Sequence, residues 1–277
     1  MQYLTLKNGD WVPSLGLGTW RMGEHAAQAR DEVAVLQRGI DLGLTLIDTA
    51  EMYGNGGAET IVGKAIQGRR DGVYVVSKVL PSNASRQGTT AACEASLKRL
   101  GTDRLDLYLL HWRGAYPLAE TLAAFQELRR AGKIGAFGVS NFDFKDMQEW
   151  LALGGGEEAV VDQVQYSIDA RGIDFDLLPW CQRQSIAVMA YCPLSQGAIP
   201  AKGALARVAA RHQATPAQIM LGWCLRQPNV IAVPKTSNPQ RVVENAKAAE
   251  ITLTPEDLAE LDRDFPAPKK AAPLAMT

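Results

Sequence analysis

From residue 14 onward the chain alternates short, almost wholly apolar runs with longer stretches whose apolar residues recur every three to four positions. The short runs read as strands covered on both faces, and the longer ones as amphipathic helices. Strands are predicted over 14–17, 45–48, 73–77, 106–110, 136–139, 160–165, 187–191 and 230–233. Helices are predicted over 27–42, 58–66, 86–100, 118–131, 144–153, 174–184, 205–212 with 216–226, and 239–248. Eight β–α units in about 250 residues favour an α/β fold of the (β/α)8 TIM-barrel type over a doubly wound sheet.

Punctuation supports that division. Gly132, after two arginines, has the place of a residue just past a helix end. Thr215-Pro216 reads as an N-cap followed by proline at the first helical position, and Thr254-Pro255 repeats it to open an extra C-terminal helix over 255–264. The first dozen residues alternate around Asn8-Gly9, a type I′ hairpin signal, and this hairpin is expected to cap the N-terminal mouth of the barrel. The glycines at 154–156 lie inside a continuing alternation and read as a loop. Residues 1–277 are therefore expected to form a single domain, with 266–277 an irregular tail.

Charge narrows the choice of partner. Lys plus Arg number 29 and Asp plus Glu 30, so the net charge of -1 gives no general electrostatic reason to expect nucleic acid or an anionic membrane. The N-terminus lacks a basic segment followed by an apolar one, and no apolar run approaches the roughly 18 residues of a membrane span. Cys93, Cys181, Cys192 and Cys224 are scattered and only three histidines exist, which speaks against a metal site or a disulfide framework. The expectation is a cytoplasmic, metal-independent monomer acting on a small molecule.

Candidate chemistry gathers at predicted strand ends. LTLIDTAEMY closes a strand on Asp48 and then presents Tyr53; Lys78 follows the next strand, and His111 with Trp112 the one after. In barrels the C-terminal strand ends carry the chemistry. A lysine ammonium beside a phenol is expected to lower its pKa, with Asp48 holding Lys78 charged. Such a phenol can protonate a carbonyl oxygen that a histidine orients. No side chain delivers hydride, so carbonyl reduction here requires a nicotinamide cofactor. The G-x-G-x-x-G fingerprint is missing. Instead, Lys235, Thr236, Ser237 and Arg241 follow the last strand and open a helix, a phosphate cradle whose two cations suit a 2′-phosphate and hence NADPH. Tyr191 is placed to stack on a nicotinamide, and Ser140, Asn141 and Gln165 to bond its carboxamide.

With these motifs the chain resembles the aldo-keto reductases from residue 15 to about 265. The likeness is carried by GLGTW (16–20), IDTAEMYGNG (47–56), SK (77–78), LLHW (109–112), GVSNF (138–142), QVQY (163–166), AYCPL (190–194) and VPKTSNPQRVVEN (233–245). The resemblance implies a tetrad of Asp48, Tyr53, Lys78 and His111, with Tyr53 as acid and direct hydride transfer between NADPH/NADP+ and a small carbonyl substrate. It also implies cofactor contacts at Thr19, Trp20, Asp48, Ser140, Asn141, Gln165, Tyr191, Cys192, Pro193, Leu194, Gln196, Lys235, Thr236, Ser237, Arg241, Glu244 and Asn245. Trp20, Tyr53, His111 and Trp112 are expected around the substrate. Within the family the wording is most similar to bacterial reductases of small aldehydes such as methylglyoxal. Cys192 stands where serine is commoner, and the C-terminal segment is short, which suggests an open pocket. Two alternatives stand beside this reading: an aldolase using Lys78 as an imine-forming amine, and an NADPH-binding regulatory or sensor protein with little turnover.

Overall fold

The computed structural model describes residues 1–200 and 202–276. Strands β1 (Tyr3–Thr5) and β2 (Trp11–Pro13) pair as an antiparallel hairpin. Its turn differs from the expected type I′, which needs positive φ at both central residues. Only Gly9 is left-handed (φ 94°), while Gly9 N–H and Leu6 N–H donate to Leu6 and Asp10 carbonyls respectively, each at 2.8 Å. The chain closes through a longer loop that ends on the left-handed glycine.

The remaining strands are β3 (Leu17–Gly18), β4 (Leu46–Asp48), β5 (Tyr74–Val79), β6 (Leu105–Leu110), β7 (Ile134–Ser140), β8 (Val161–Gln165), β9 (Ala187–Tyr191) and β10 (Val230–Ala232). They lie parallel in sequence order. Bridges Leu15–Ala232 and Gly18–Lys235 join the first strand region to the last and close the barrel. The regular part of the first strand is shorter than predicted because residues 14–16 contribute through single bonds to the β10 side, such as Gly16 N–H to Ala232 O at 2.9 Å.

Around the barrel run α1 (Ala29–Asp41), α2 (Gly57–Ala65), α3 (Arg86–Leu100), α4 (Leu118–Arg130), α5 (Phe144–Leu151), α6 (Leu177–Arg183), α7 (Ala204–Arg211), α8 (Pro216–Leu225) and α9 (Pro239–Lys247), followed by α10 (Pro255–Asp264). Thr215 and Thr254 each cap their helix with a reciprocal bond from the third helical residue, Gln218 and Asp257. Gly132 sits just past α4 at φ 72°, a conformation open to glycine without a Cβ penalty. α6 starts later than predicted because a 3-10 turn at Gly172–Asp174 intervenes. Residues 266–276 form no helix or strand, yet Leu274 packs on the core. Thr277 lies outside the described residues.

The strand period of two places the site. Leu46, Val76, Leu107, Leu109, Ala136, Val161, Met189 and Ile231 fill the barrel interior, which Leu6 and Val12 of the hairpin region close from below. Ile47, Val75, Tyr108, Phe137, Val164 and Val188 face the helices. Each such fully buried aliphatic side chain stabilises by about 1.5–3 kcal/mol. One step further along the inward face, two residues on, apolar gives way to polar: Leu46 to Asp48, Val76 to Lys78, Leu109 to His111, Val161 to Gln163 and Met189 to Tyr191. The chemistry is the top layer of the barrel's own core.

Candidate active site

Lys78 anchors that layer. Its side chain is fully buried (0% exposed), and Nζ donates to Asp48 Oδ1 at 2.7 Å, to the Thr49 carbonyl at 2.8 Å and to Tyr53 Oη at 3.3 Å. Asp48 Oδ1 also accepts from Gln163 Nε2 at 2.7 Å, and Thr19 Oγ1 donates to the Asp48 carbonyl at 2.9 Å. Tyr53 and His111 meet edge to face, ring centroids 5.7 Å apart, and Trp112 packs on His111 at 4.8 Å. Asn141, held at φ 57°, donates from Nδ2 to the His111 carbonyl at 3.0 Å and accepts from Tyr191 Oη at 2.8 Å. The structure thus brings the four predicted residues together.

Their protonation differs in one respect from expectation. Burial, then the Asp48 carboxylate and the Cys192 thiol, push the Tyr53 phenol well above its ordinary value instead of lowering it. Lys78, paired with Asp48 at closer range than with Tyr53, does not outweigh burial at the phenol. Burial also pushes Lys78 down, opposed by Asp48 and by Glu59. His111 is pushed down to about 2 by burial and by the Lys78 charge. At neutral pH the cluster therefore presents a protonated phenol and a neutral imidazole, both able to donate a hydrogen bond to one oxygen.

The cluster forms the floor of a cavity of about 760 Å³. Of the predicted residues, Thr19, Trp20, Asp48, Tyr53, His111, Trp112, Ser140, Asn141, Tyr191, Cys192, Pro193, Leu194, Gln196, Lys235, Thr236, Arg241, Glu244 and Asn245 line it. Lys78 lies behind this wall. Ser237 is set back, its Oγ accepting from Lys235 Nζ at 2.9 Å. Gln165 does not reach the wall; Gln163 does. Gln163 pairs with Ser140 across the strands and donates to Asp48 Oδ1, which places it beside the cluster. The alternation that marks strand β8 allows either glutamine, so only strand pairing separates them. Arg21 and Met276, outside the quoted motifs, and Met52, inside IDTAEMYGNG but not singled out there, also line the cavity.

One end of the cavity suits a phosphorylated dinucleotide. Lys235 and Arg241 reach it, Asn238 caps α9 by accepting from Gln240 N–H at 2.9 Å, and Thr236 Oγ1 accepts from Asn238 N–H at 3.1 Å. Arg21 stacks on Trp20 beside them, its guanidinium 4.4 Å from the ring centroid. Two cations and a helix N-terminus fit a phosphate, and the polar Ser140–Asn141–Gln163 group at the far end fits a carboxamide. Glu51, next to the site in sequence, is occupied elsewhere: Oε1 accepts from Leu80 N–H at 2.6 Å and from Asn83 Nδ2 at 3.0 Å.

Comparison with known proteins agrees with this geometry. A family model described as the aldo/keto reductase family matches residues 14–263. Methylglyoxal reductase YeaE of Escherichia coli (strain K12) is 49% identical over 270 residues, covering 96% of this chain and 95% of the relative. Glyoxal reductase of Bacillus subtilis (strain 168) is 34% identical over 257 residues, covering 93% and 90%. The crystal structure of an aldo/keto reductase from Klebsiella pneumoniae in complex with NADP and acetate superposes with a TM-score of 0.97 at 49% identity, covering 99% of each chain.

Proposed function

The chain belongs to the aldo/keto reductase family, and from that premise we propose that it reduces small aldehydes and dicarbonyls of the methylglyoxal type with NADPH. Bound NADPH supplies the hydride. Tyr53 donates the proton that converts the carbonyl oxygen to a hydroxyl, and the neutral His111 imidazole orients that oxygen through a second hydrogen bond. Asp48 holds Lys78 in place behind the phenol, and Lys78 Nζ, 3.3 Å from Tyr53 Oη, is available to stabilise the oxygen as its proton leaves. Trp20, Met52, Trp112 and Met276 give the mouth apolar walls suited to a small uncharged substrate. Ser140, Asn141 and Gln163 would hold the carboxamide of the cofactor, and Lys235 and Arg241 its 2′-phosphate.

One observation carries the reading: a buried Asp48–Lys78 pair (3% and 0% exposed) bonded to a phenol that lines a dinucleotide-sized cavity. The aldolase alternative needs an accessible, uncharged amine. Lys78 is fully buried against a carboxylate 2.7 Å away. The same reading takes the chain as a cytoplasmic monomer, and elution from a sizing column as one chain would support the second half. The central test is the loss of NADPH absorbance on adding methylglyoxal. Consumption is expected with NADPH, weakly with NADH, and at least about 100-fold more slowly in Tyr53→Phe, with NADPH binding retained. Undiminished turnover in Tyr53→Phe would sink the acid assignment.

A further inference from the structure

We propose that Glu59, tied to Ser77 and Arg99, is a positioning residue that sets the distance between Tyr53 and Lys78. The proposal rests on the reading of Tyr53 as the acid. Glu59 lies in the first turn of α2, directly after the turn that carries Tyr53, and is completely buried. Its Oε1 accepts from Ser77 Oγ at 2.6 Å and its Oε2 from Arg99 Nε at 2.6 Å. Arg99 Nη2 donates onward to Ser96 Oγ at 3.1 Å.

Each end of this tie bears on one member of the acid pair. Ser77 immediately precedes Lys78 on β5, and adjacent strand residues face opposite sides, so Ser77 meets α2 while Lys78 enters the barrel. At the other end, the Arg99 side chain lies against Gly56, three residues after Tyr53. A Cβ on Gly56 would come within 2.5 Å of Arg99 Cδ and 2.7 Å of Nε, and Gly56 holds φ at 85°. The Tyr53 turn is thereby seated on a side chain that Glu59 fixes. Burying a carboxylate is costly, and apolar side chains would fill the same volume without that cost. What the ion pair adds is a fixed direction from both ends of the carboxylate.

Glu59 also acts on Lys78 through charge. Lys78 is faced by Asp48 from β4, Tyr53 from the turn, His111 just past β6 and, across the strand, Glu59 from α2. Glu59 itself is faced by Arg99 and Cys93 of α3 and by Tyr108 of β6. Its carboxylate opposes the loss of the Lys78 proton.

The test measures methylglyoxal reduction in Glu59→Gln, Ser77→Ala, Arg99→Met and the Ser77→Ala/Arg99→Met double variant, with NADPH affinity read by fluorescence. Glu59→Gln should lower kcat by about 10- to 100-fold through misplacement of the pair, with NADPH affinity unchanged. The alkaline limb of its kcat profile should move to lower pH. The double variant should be no slower than the worse single variant, as expected of one connected unit. Should Glu59→Gln fail to fold, Ser77→Ala, which deletes a single hydroxyl, carries the same test with a smaller effect. Wild-type kcat and pH limb in Glu59→Gln and Ser77→Ala, with Tyr53→Phe inactive, would overturn the tie and leave the reductase reading standing. Turnover retained in Tyr53→Phe would overturn both.

Discussion

His111 makes the fold's stability depend on pH in a way that can be calculated. Burial first, and the Lys78 charge second, push its imidazole from 6.5 down to about 2. The native state therefore stays neutral in a range where the unfolded chain takes up a proton. A folded value below the unfolded one means that stability is lost as pH falls: the loss begins near 6.5 and levels off only near 2. Between roughly pH 7 and roughly pH 5 this single group should weaken the fold by about 2 kcal/mol. His111→Gln removes the titration, so urea unfolding of both proteins at the two pH values isolates it: the wild type should lose about 2 kcal/mol more than the variant. The chain has only three histidines, and ring-proton NMR can follow each of them. His111 signals should stay flat over the same range. Equal pH dependence of the two proteins, or a His111 ring that titrates near its ordinary value, would refute the neutral imidazole and with it the donor proposed to orient the carbonyl.

Three further outcomes follow from the same geometry. Lys78→Met leaves Asp48 as a buried carboxylate without its cation; it should cost about 3–5 kcal/mol in urea unfolding and abolish turnover, and a variant as stable as wild type would contradict the pairing. Lys235→Ala and Arg241→Ala should each raise KM for NADPH by about 10- to 100-fold while leaving KM for NADH nearly unchanged; equal effects on both cofactors would remove the 2′-phosphate assignment. Alcohol oxidation with NADP+ should need a distinctly higher pH than carbonyl reduction, measured as two kcat profiles, and coincident profiles would contradict the elevated phenol.

The barrel was legible because its parallel strands are covered on both faces and so read as uniform apolar runs between amphipathic helices. Asp48, Lys78 and His111 were legible for a related reason: each breaks such a run at its C-terminal end. Residues that depend on pairing between strands were less accessible. Gln163 and Gln165 share a face of β8, and only the Ser140–Gln163 register selects the first. Local charge also misled where distance mattered. A lysine beside a tyrosine suggests a lowered phenol, but the phenol is buried and the ammonium 3.3 Å from it is paired with Asp48 at 2.7 Å, so burial decides the direction. His212, which follows α7 and belongs to no motif, meets Asp257 of α10 at 2.7 Å. Met276 reaches the cavity wall from the far end of the chain, a contact no local pattern encodes.

The electrostatics of the cluster bear on the direction of the proposed reaction. An acid catalyst has to begin with its proton, and a base without it. Burial and Asp48 both keep the proton on Tyr53, and Lys78, compensated by that same Asp48, does not reverse them. When the phenol gives its proton to a carbonyl oxygen, the negative charge appears beside an ammonium that is already in place and needs no reorganisation. The same carboxylate thus does two things: it keeps Lys78 charged against burial, and it keeps Tyr53 protonated until a stronger acceptor arrives. In the reverse direction the phenol would have to ionise first, against burial and against Asp48. On that proposal the site is set to donate a proton at neutral pH, and the bias lies in burial and in an Asp48 carboxylate that pairs with Lys78 close to the phenol.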